Sequence, residues 1–462
     1  MAQGSAVIGL LLLVAPVVAA GVTVAKVGDS LVDAEALTIQ GGFGQSINGK
    51  SFQQDAVVSH RGYQYVAYYD KARHVCMARR KLPDGAWAIA RFLDYDFKSN
   101  DAHNTISMGI CPADGTIHVA FDHHGHPLHY RVSRQHAADN PEDTPWEPEL
   151  FGPIVSEVEQ GKPIRITYPR FWQTPDGGLQ FCYRRGGSGQ GDRMLVDYVP
   201  EAGTWANTRQ IDSGVGAFED ALGASNSRCS YPNSYEYGPK GRLHATWVWR
   251  EDAHGSNHDL VYVYSEDGGI TWRNNQGEVL DGPPGVNSPG VTVAKIGRAY
   301  GLMNTHGQTV DSQGRVHVVM WHCSDETLAA AGSEPGEQRW GPPAAQRYHH
   351  YWRDTEGTWH HTELPWVSGN RPKVFVDKHD NAVLIYAKDK NLEIASATAA
   401  SQWTDWQVVH TEPGPFVNEM LGDLYRWRAE GVLSILAQGA PDKPHDPTPL
   451  RILDFGFEGG AQ

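Results

Sequence analysis

The stretch DGTIHVAFDH, residues 114–123, decides the fold. A glycine turn opens it, and Ile117, Val119 and Phe121 then share one side, the period-two pattern of a half-buried strand. The same unit recurs along the chain. Turns at Gly62, Gly115, Gly178, Gly241, Gly314, Asn381 and Gly431 each lead into an alternating strand, as in YQYVAYYD, RLHATWVW and RVHVVMWH. A second strand follows at a matching offset (HVCMARRK, LVYVYSED, YHHYWRD), and Trp87, Trp146, Trp205, Trp272, Trp359 and Trp406 mark the start of outer strands. Repeats of this kind form small sheets arranged around an axis. The pattern predicts an all-β, seven-bladed β-propeller over residues 27–458, a single domain. The seventh unit lacks an outer Trp, so residues 37–40 are expected to supply its outer strand and close the ring.

One sharp motif agrees. SEDGGITW, residues 265–272, matches the Asp-box pattern of sialidase-like repeats, in which Ser and Asp bond the backbone of a tight hairpin and Trp packs between blades. The sequences ending in Trp205 and Trp359 look like worn copies. The box is structural and carries no chemistry.

Composition bounds the function. The chain of 462 residues holds 54 acidic against 39 basic residues, a formal charge of −15, which argues against a nucleic-acid or anionic-membrane surface. An acidic substrate is still allowed, because a cleft can be locally basic. Residues 6–20 form an uncharged apolar run ending in small residues, so residues 1–20 read as a secretory signal peptide and the mature protein as secreted, free of membrane and monomeric. The five cysteines, Cys76, Cys111, Cys182, Cys229 and Cys323, lack close metal-type spacing.

Propeller geometry sorts the polar residues. The start of an inner strand and the end of the next lie on the rim opposite the glycine turns. That rule brings His103 and His123 of the second unit to one mouth, with Tyr168 and Arg184 of the third. Asn104, His124, Arg185, Tyr231 and Trp247 are assigned to substrate binding around them, and Trp249 and Trp321 are further stacking surfaces. His118, His244 and His317 occupy one slot in three units, which favours packing roles.

Two histidines, a tyrosine and an arginine suit β-elimination from a uronic acid. The C5 proton becomes removable once the neighbouring carboxylate is neutralised, and a guanidinium matches a carboxylate and never loses its charge. It also stabilises the enolate-like transition state, while His or Tyr moves the protons. A glycoside hydrolase would instead want an opposed carboxylate pair.

The segments around His103 and His123 resemble the BNR-repeat polysaccharide lyases, the seven-bladed ulvan lyases and related rhamnose–glucuronate lyases. The resemblance implies Arg184 as carboxylate neutraliser, His123 and Tyr168 as base and acid in either order, and His103 assisting. The implied partner is an anionic uronate-containing polysaccharide. No cofactor is required for catalysis; a structural zinc or calcium ion is implied, for which His306, Cys323 and His349 (or His350) are the candidate ligands. Two other readings stand beside it: a sialidase-like glycoside hydrolase and a non-catalytic glycan-binding propeller.

Overall fold

The computed structural model of the protein describes residues 22–41, 44–53, 55–159, 161–252 and 255–459. The expected signal peptide lies outside the described residues. No helix among them is long and apolar enough to cross a membrane.

Seven antiparallel sheets follow one another along the chain, one for each repeat, with a separate two-stranded ribbon. The first is the simplest: Val57–His60, Tyr63–Tyr69, His74–Lys81 and Ala88–Asp96 in sequence order. The inner strands are buried almost throughout because both sheet faces pack on neighbouring blades. Every residue of Tyr63–Tyr69 and Ile117–Phe121 is buried. The turn glycines Gly115 and Gly314 have φ of 63° and 84°, the left-handed region that a Cβ disfavours.

The ring closes through the amino terminus, but not with the segment expected. The outer strand of the seventh blade is Thr23–Ala36, paired along Thr448–Glu458. Residues 37–40 contribute instead to Thr38–Gly41, which pairs with Gly44–Ser46 in the ribbon. The alternating pattern of residues 23–36 is weak because register shifts at Lys26/Gly28, Leu31/Asp33 and Asp33/Ala36 break the period of two along this strand. The second blade also departs from expectation. It has three strands, and where Trp146 was to open a fourth there are single bridges from Tyr130 to Val155 and Ser133 to Phe151.

The Asp box behaves as its residues require. Asp267 Oδ1 accepts from the Thr271 amide at 2.8 Å, Ser265 Oγ accepts from the Gly269 amide at 2.7 Å, and Trp272 is buried in one apolar cluster with Leu195 and Trp249. His118, His244 and His317 are all buried; His118 and His244 bond the hydroxyls of Tyr130 and Tyr262.

A buried ion cluster pins the closure. Asp454 of the seventh blade accepts from Arg80 of the first at 3.0 Å, from Arg426 at 2.9 Å and from Ser434 at 2.6 Å, and all three charged groups are buried. Replacing Asp454 by Ala strands the buried Arg80 guanidinium and leaves Arg426 with the Glu430 carboxylate alone, so a loss of about 3–5 kcal/mol is expected in chemical denaturation.

Candidate active site

The site is built on one rung of the third blade. Asp122, with φ of 62°, turns the chain out of the second blade, and the short strand His124–Pro127 then pairs with the inner strand Arg165–Gln173. The pairing runs straight across: His124 opposite Thr167, Thr167 opposite Arg184, Arg184 opposite Arg193. A register shift between Thr167 and Arg170 lifts Tyr168 out of the ladder with φ of 55°. A bulky residue held left-handed is strained, and such strain is kept where it aims a side chain.

His103 reaches the rung from the loop before the second blade. Its ring stacks on Phe52 at 5.0 Å on one contact and on His124 at 4.3 Å on another, with Tyr168 6.0 Å away between centroids. Asp101 joins the two imidazoles: His103 Nδ1 bonds one carboxylate oxygen and His124 Nδ1 the other, the latter at 2.6 Å. Burial works against the Asp101 charge, but the bonds from both rings hold its carboxyl far below the ordinary range. An ionised carboxylate only accepts, so both Nδ1 atoms carry hydrogen and the basic nitrogen of each ring is Nε2. Burial pushes the His103 pKa below its ordinary value; Asp101 opposes this, and His124 and Arg371 add to it. His103 is therefore neutral at neutral pH, as a base must be.

Behind Tyr168 stands Arg184, 1 % exposed, its guanidinium carbon 4.9 Å from the Tyr168 ring centroid and 5.6 Å from that of Tyr231. Its Nη1 donates to the Tyr231 hydroxyl at 3.3 Å, and its Nε has no hydrogen-bond partner. Gly191 makes the room: a Cβ there would lie 3.1 Å from Arg184 Cγ and Cδ. Burial and Cys229 oppose ionisation of the Tyr231 phenol, but Arg184 and Arg250 beside it pull its pKa below the ordinary value. Tyr168 moves the other way, raised by burial and by Tyr231.

The charge balance here is unusual for an acidic protein. Elsewhere buried arginines have carboxylate partners, Arg228 with Glu251 at 2.6 Å and Arg80 with Asp454 at 3.0 Å. Arg170, Arg184, Arg193 and Arg250 form no ion pair among the described residues. All but Arg250 are buried. The charges of Arg184 and Arg250 act on the mouth where Tyr168 and Tyr231 meet.

The structure brings together His103, Tyr168, His124 and Tyr231, and sets Arg184 behind the two phenols rather than open at the mouth. His123 is not among them. Its ring is fully buried, Nε2 accepts from the His129 amide at 2.8 Å, and the ring stacks on His129 at 5.6 Å. The left-handed turn at Asp122 breaks the strand parity on which its placement rested. Trp247 is also core, 1 % exposed and packed edge-on to Trp249. Asn104 is buried and braces Asp122 and the Tyr69 hydroxyl rather than the cleft. Arg185 lies exposed on the rim, 3.8 Å from Asp192. Asp101, Phe52, Arg250 and Arg371 were missing from the expected site. The pairing of Asp101 with His103 two residues on was the one signal for any of them.

The expected metal ligands do not converge. His306 Nε2 accepts from the Trp321 amide at 3.3 Å, Cys323 packs with Leu328 and Ala345, and His349 stacks on His322 at 3.5 Å and bonds His361 at 2.9 Å. His349 Nε2 bonds the His322 carbonyl, and both ring nitrogens of His322 are also taken. These residues as arranged do not fit an ion. Among the described residues, Asp101, His103 and His124 alone place three donor atoms within 4.8 Å of one another, and those atoms are already hydrogen-bonded together.

A family model described as BNR repeat-containing family member matches residues 63–366. An ulvan lyase, long isoform, of Alteromonas is 24% identical over 336 residues, which cover 60% of this chain and 32% of the relative. A short-isoform ulvan lyase of Alteromonas is 23% identical over 310 residues, 55% of this chain and 56% of the relative. The chain therefore spans about a third of the length of the long-isoform relatives it matches. Among solved structures, the polysaccharide lyase Uly1 superposes with a TM-score of 0.72 at 17% identity, over 93% of this chain and 99% of that one. An ulvan lyase bound to -[GlcA(1-4)Rha3S]- gives 0.62 at 14% identity, over 93% and 95%. These likenesses establish the propeller.

Proposed function

The chain belongs to the BNR repeat-containing family, and from that premise we propose that it is a secreted, monomeric polysaccharide lyase that cleaves a uronate-containing glycan by β-elimination. Glucuronate or iduronate linked to rhamnose is the substrate class; the glycan in the related ulvan lyase complex, -[GlcA(1-4)Rha3S]-, carries the glucuronate form. The observation that carries the reading is the Asp101-held pair His103 and His124 facing Tyr168 and Tyr231, with the unpaired guanidinium of Arg184 directly behind the phenols.

The roles follow from the geometry. The uronate carboxylate settles over Tyr168 and Tyr231, where Arg184 acts through the Tyr231 hydroxyl and through its unscreened field. A neutral imidazole takes the C5 proton at Nε2. The electron pair of that C–H bond forms the C4–C5 double bond as the bond from C4 to the glycosidic oxygen breaks. Tyr168, kept protonated by burial and by Tyr231, is placed to give the departing oxygen its proton. A hydrolase reading lacks support, because Asp101 is committed to two histidines and Glu419 to Arg371.

The test is a panel of uronate polysaccharides (ulvan, gum arabic, glucuronorhamnans) followed by ultraviolet absorbance of the unsaturated uronate. A rise on at least one is expected. Saturated products with new reducing ends would mean a hydrolase, and binding without products a glycan-binding propeller.

Asp101→Asn separates positioning from packing. An amide cannot accept from both Nδ1–H groups, so one ring loses its tautomer. A fall in kcat of about a hundredfold is expected. The base must be neutral, so wild-type activity is present above the His103 pKa and lost as pH falls through it, on the acid side of the ordinary imidazole value. Asp101 raises that pKa, so its removal moves the acid limb to lower pH. A pH profile that keeps its limb would show a merely structural role.

A further inference from the structure

Phe52 is held firmly beside His103 by parts of the chain far from it in sequence. It sits on the segment that follows the ribbon strand Gly44–Ser46 and precedes the first blade. Glu419, just ahead of the seventh blade, accepts from the Ser51 amide at 2.6 Å, and Lys373 of the sixth donates to the Ser51 carbonyl at 3.0 Å. The Glu419 amide donates to the Gly49 carbonyl at 3.0 Å. Gly49, with φ of 82°, packs so tightly that a Cβ would come within 2.6 Å of Asn418. Burial works against the Glu419 charge, but Arg371, Lys50 and the Ser51 amide hold its carboxyl down at about 2. The anchor therefore stays ionised wherever a histidine titrates.

The Phe52 ring lies parallel to that of His103, with centroids 5.0 Å apart and 11° between planes. His124 lies near-parallel to His103 as well, at 4.3 Å and 19°. Phe52 is 4 % exposed, and the Arg371 guanidinium carbon and the Tyr168 ring centroid each lie 5.2 Å from its centroid. Asp101 and the flat neighbours constrain His103 in different ways. The bond to Asp101 settles which nitrogen bears hydrogen, but a ring tethered at Cβ and at Nδ1 can still tilt about the line joining them. Parallel rings set its plane, and with it the line along which Nε2 points.

We infer that Phe52 is a positioning residue for the elimination: its ring sets the plane of the His103 imidazole, so that Nε2 is aimed before the glycan arrives. This role rests on the lyase reading and adds to it that the base is aligned from the segment ahead of the first blade, by a side chain with no acid–base chemistry of its own. Alignment of this kind acts on kcat, because a reacting atom misplaced by a fraction of an ångström loses rate without losing affinity.

The same ring shields His103 from water. Burial is the main cause of its lowered pKa; Asp101 opposes the shift, His124 and Arg371 add to it, and Tyr168 is the other ionisable ring in contact. Thinning the cover at Phe52 therefore raises the His103 pKa towards its ordinary value.

Phe52→Leu tests the role, with Phe52→Tyr as the variant that keeps the ring. Leucine fills much of the same volume but offers no flat face. On a uronate polysaccharide, Phe52→Leu is expected to lower kcat about tenfold while KM changes by less than about twofold. Its acid limb should move to higher pH, and Phe52→Tyr should recover most of kcat and the wild-type limb. Unchanged kcat in Phe52→Leu overturns the role, and so does a loss that tracks a fall in Tm while the limb stays in place. Nuclear magnetic resonance of protein labelled at histidine decides the point without turnover, His103 being identified by the signal missing from His103→Gln. Its titration should move to higher pH in Phe52→Leu and return in Phe52→Tyr; the same titration in all three proteins overturns the role. Wild type that releases no unsaturated ends, yet shows the expected titrations, overturns the lyase reading and leaves Phe52 as the residue that sets His103.

Discussion

Arg184→Met is expected to abolish eliminase activity while leaving the propeller folded and no less stable. Arg184 is 1 % exposed, has no carboxylate partner among the described residues and leaves its Nε unbonded. A buried charge kept on those terms costs stability, and the contacts with Tyr168 and Tyr231 return only part of that cost. An apolar side chain of similar length removes the cost. The reaction, by contrast, loses the charge that stabilises the developing carbanion, a fall in kcat/KM of about 10²–10³. Arg184→Lys should recover little, because an ammonium cannot face two rings and a hydroxyl as a planar guanidinium does. Kinetics on a uronate glycan together with thermal denaturation check this. A variant that loses activity only because its Tm collapses would make Arg184 a structural residue.

The second large effect separates two adjacent histidines. His124→Ala is expected to lower kcat by about a hundredfold, because its ring stacks on His103 and shares the Asp101 carboxylate that fixes the His103 tautomer. His123→Ala should keep kcat within a few-fold and lose about 1–3 kcal/mol of stability, because the His129 amide is left without its acceptor in a buried site. Rates and chemical denaturation of the two variants should therefore cross over. The opposite pattern would return His123 to the reaction and remove His124 from it.

That pair also shows what could be read from residues alone. Blade number, inner strands and the Asp box were legible because each follows from alternation or from turn chemistry within a few residues. Tyr168 and Arg184 were legible because both sit near the rim end of regular strands of one blade. His123 was not, since the rim rule assumes that strand parity continues, and the left-handed Asp122 breaks it one residue earlier. The closing strand was misplaced for a related reason. Thr23–Ala36 carries little alternation, being exposed along much of its length, whereas residues 37–40 are apolar enough to imitate it. Arg250 and Arg371 were out of reach, because their place depends on blades that meet only once the ring is closed.

The account stands on a carboxylate docking where buried positive charge has no partner. The direct measurement is a crystal structure of the slow His124→Ala variant soaked with a uronate–rhamnose tetrasaccharide. The predicted result is a uronate carboxylate over Tyr168 and Tyr231, bonded to the Tyr231 hydroxyl or to Arg184 itself, with C5 turned towards His103. A sugar acid bound with its carboxylate in solvent, or paired to other cations while Arg184 stays covered, would contradict it.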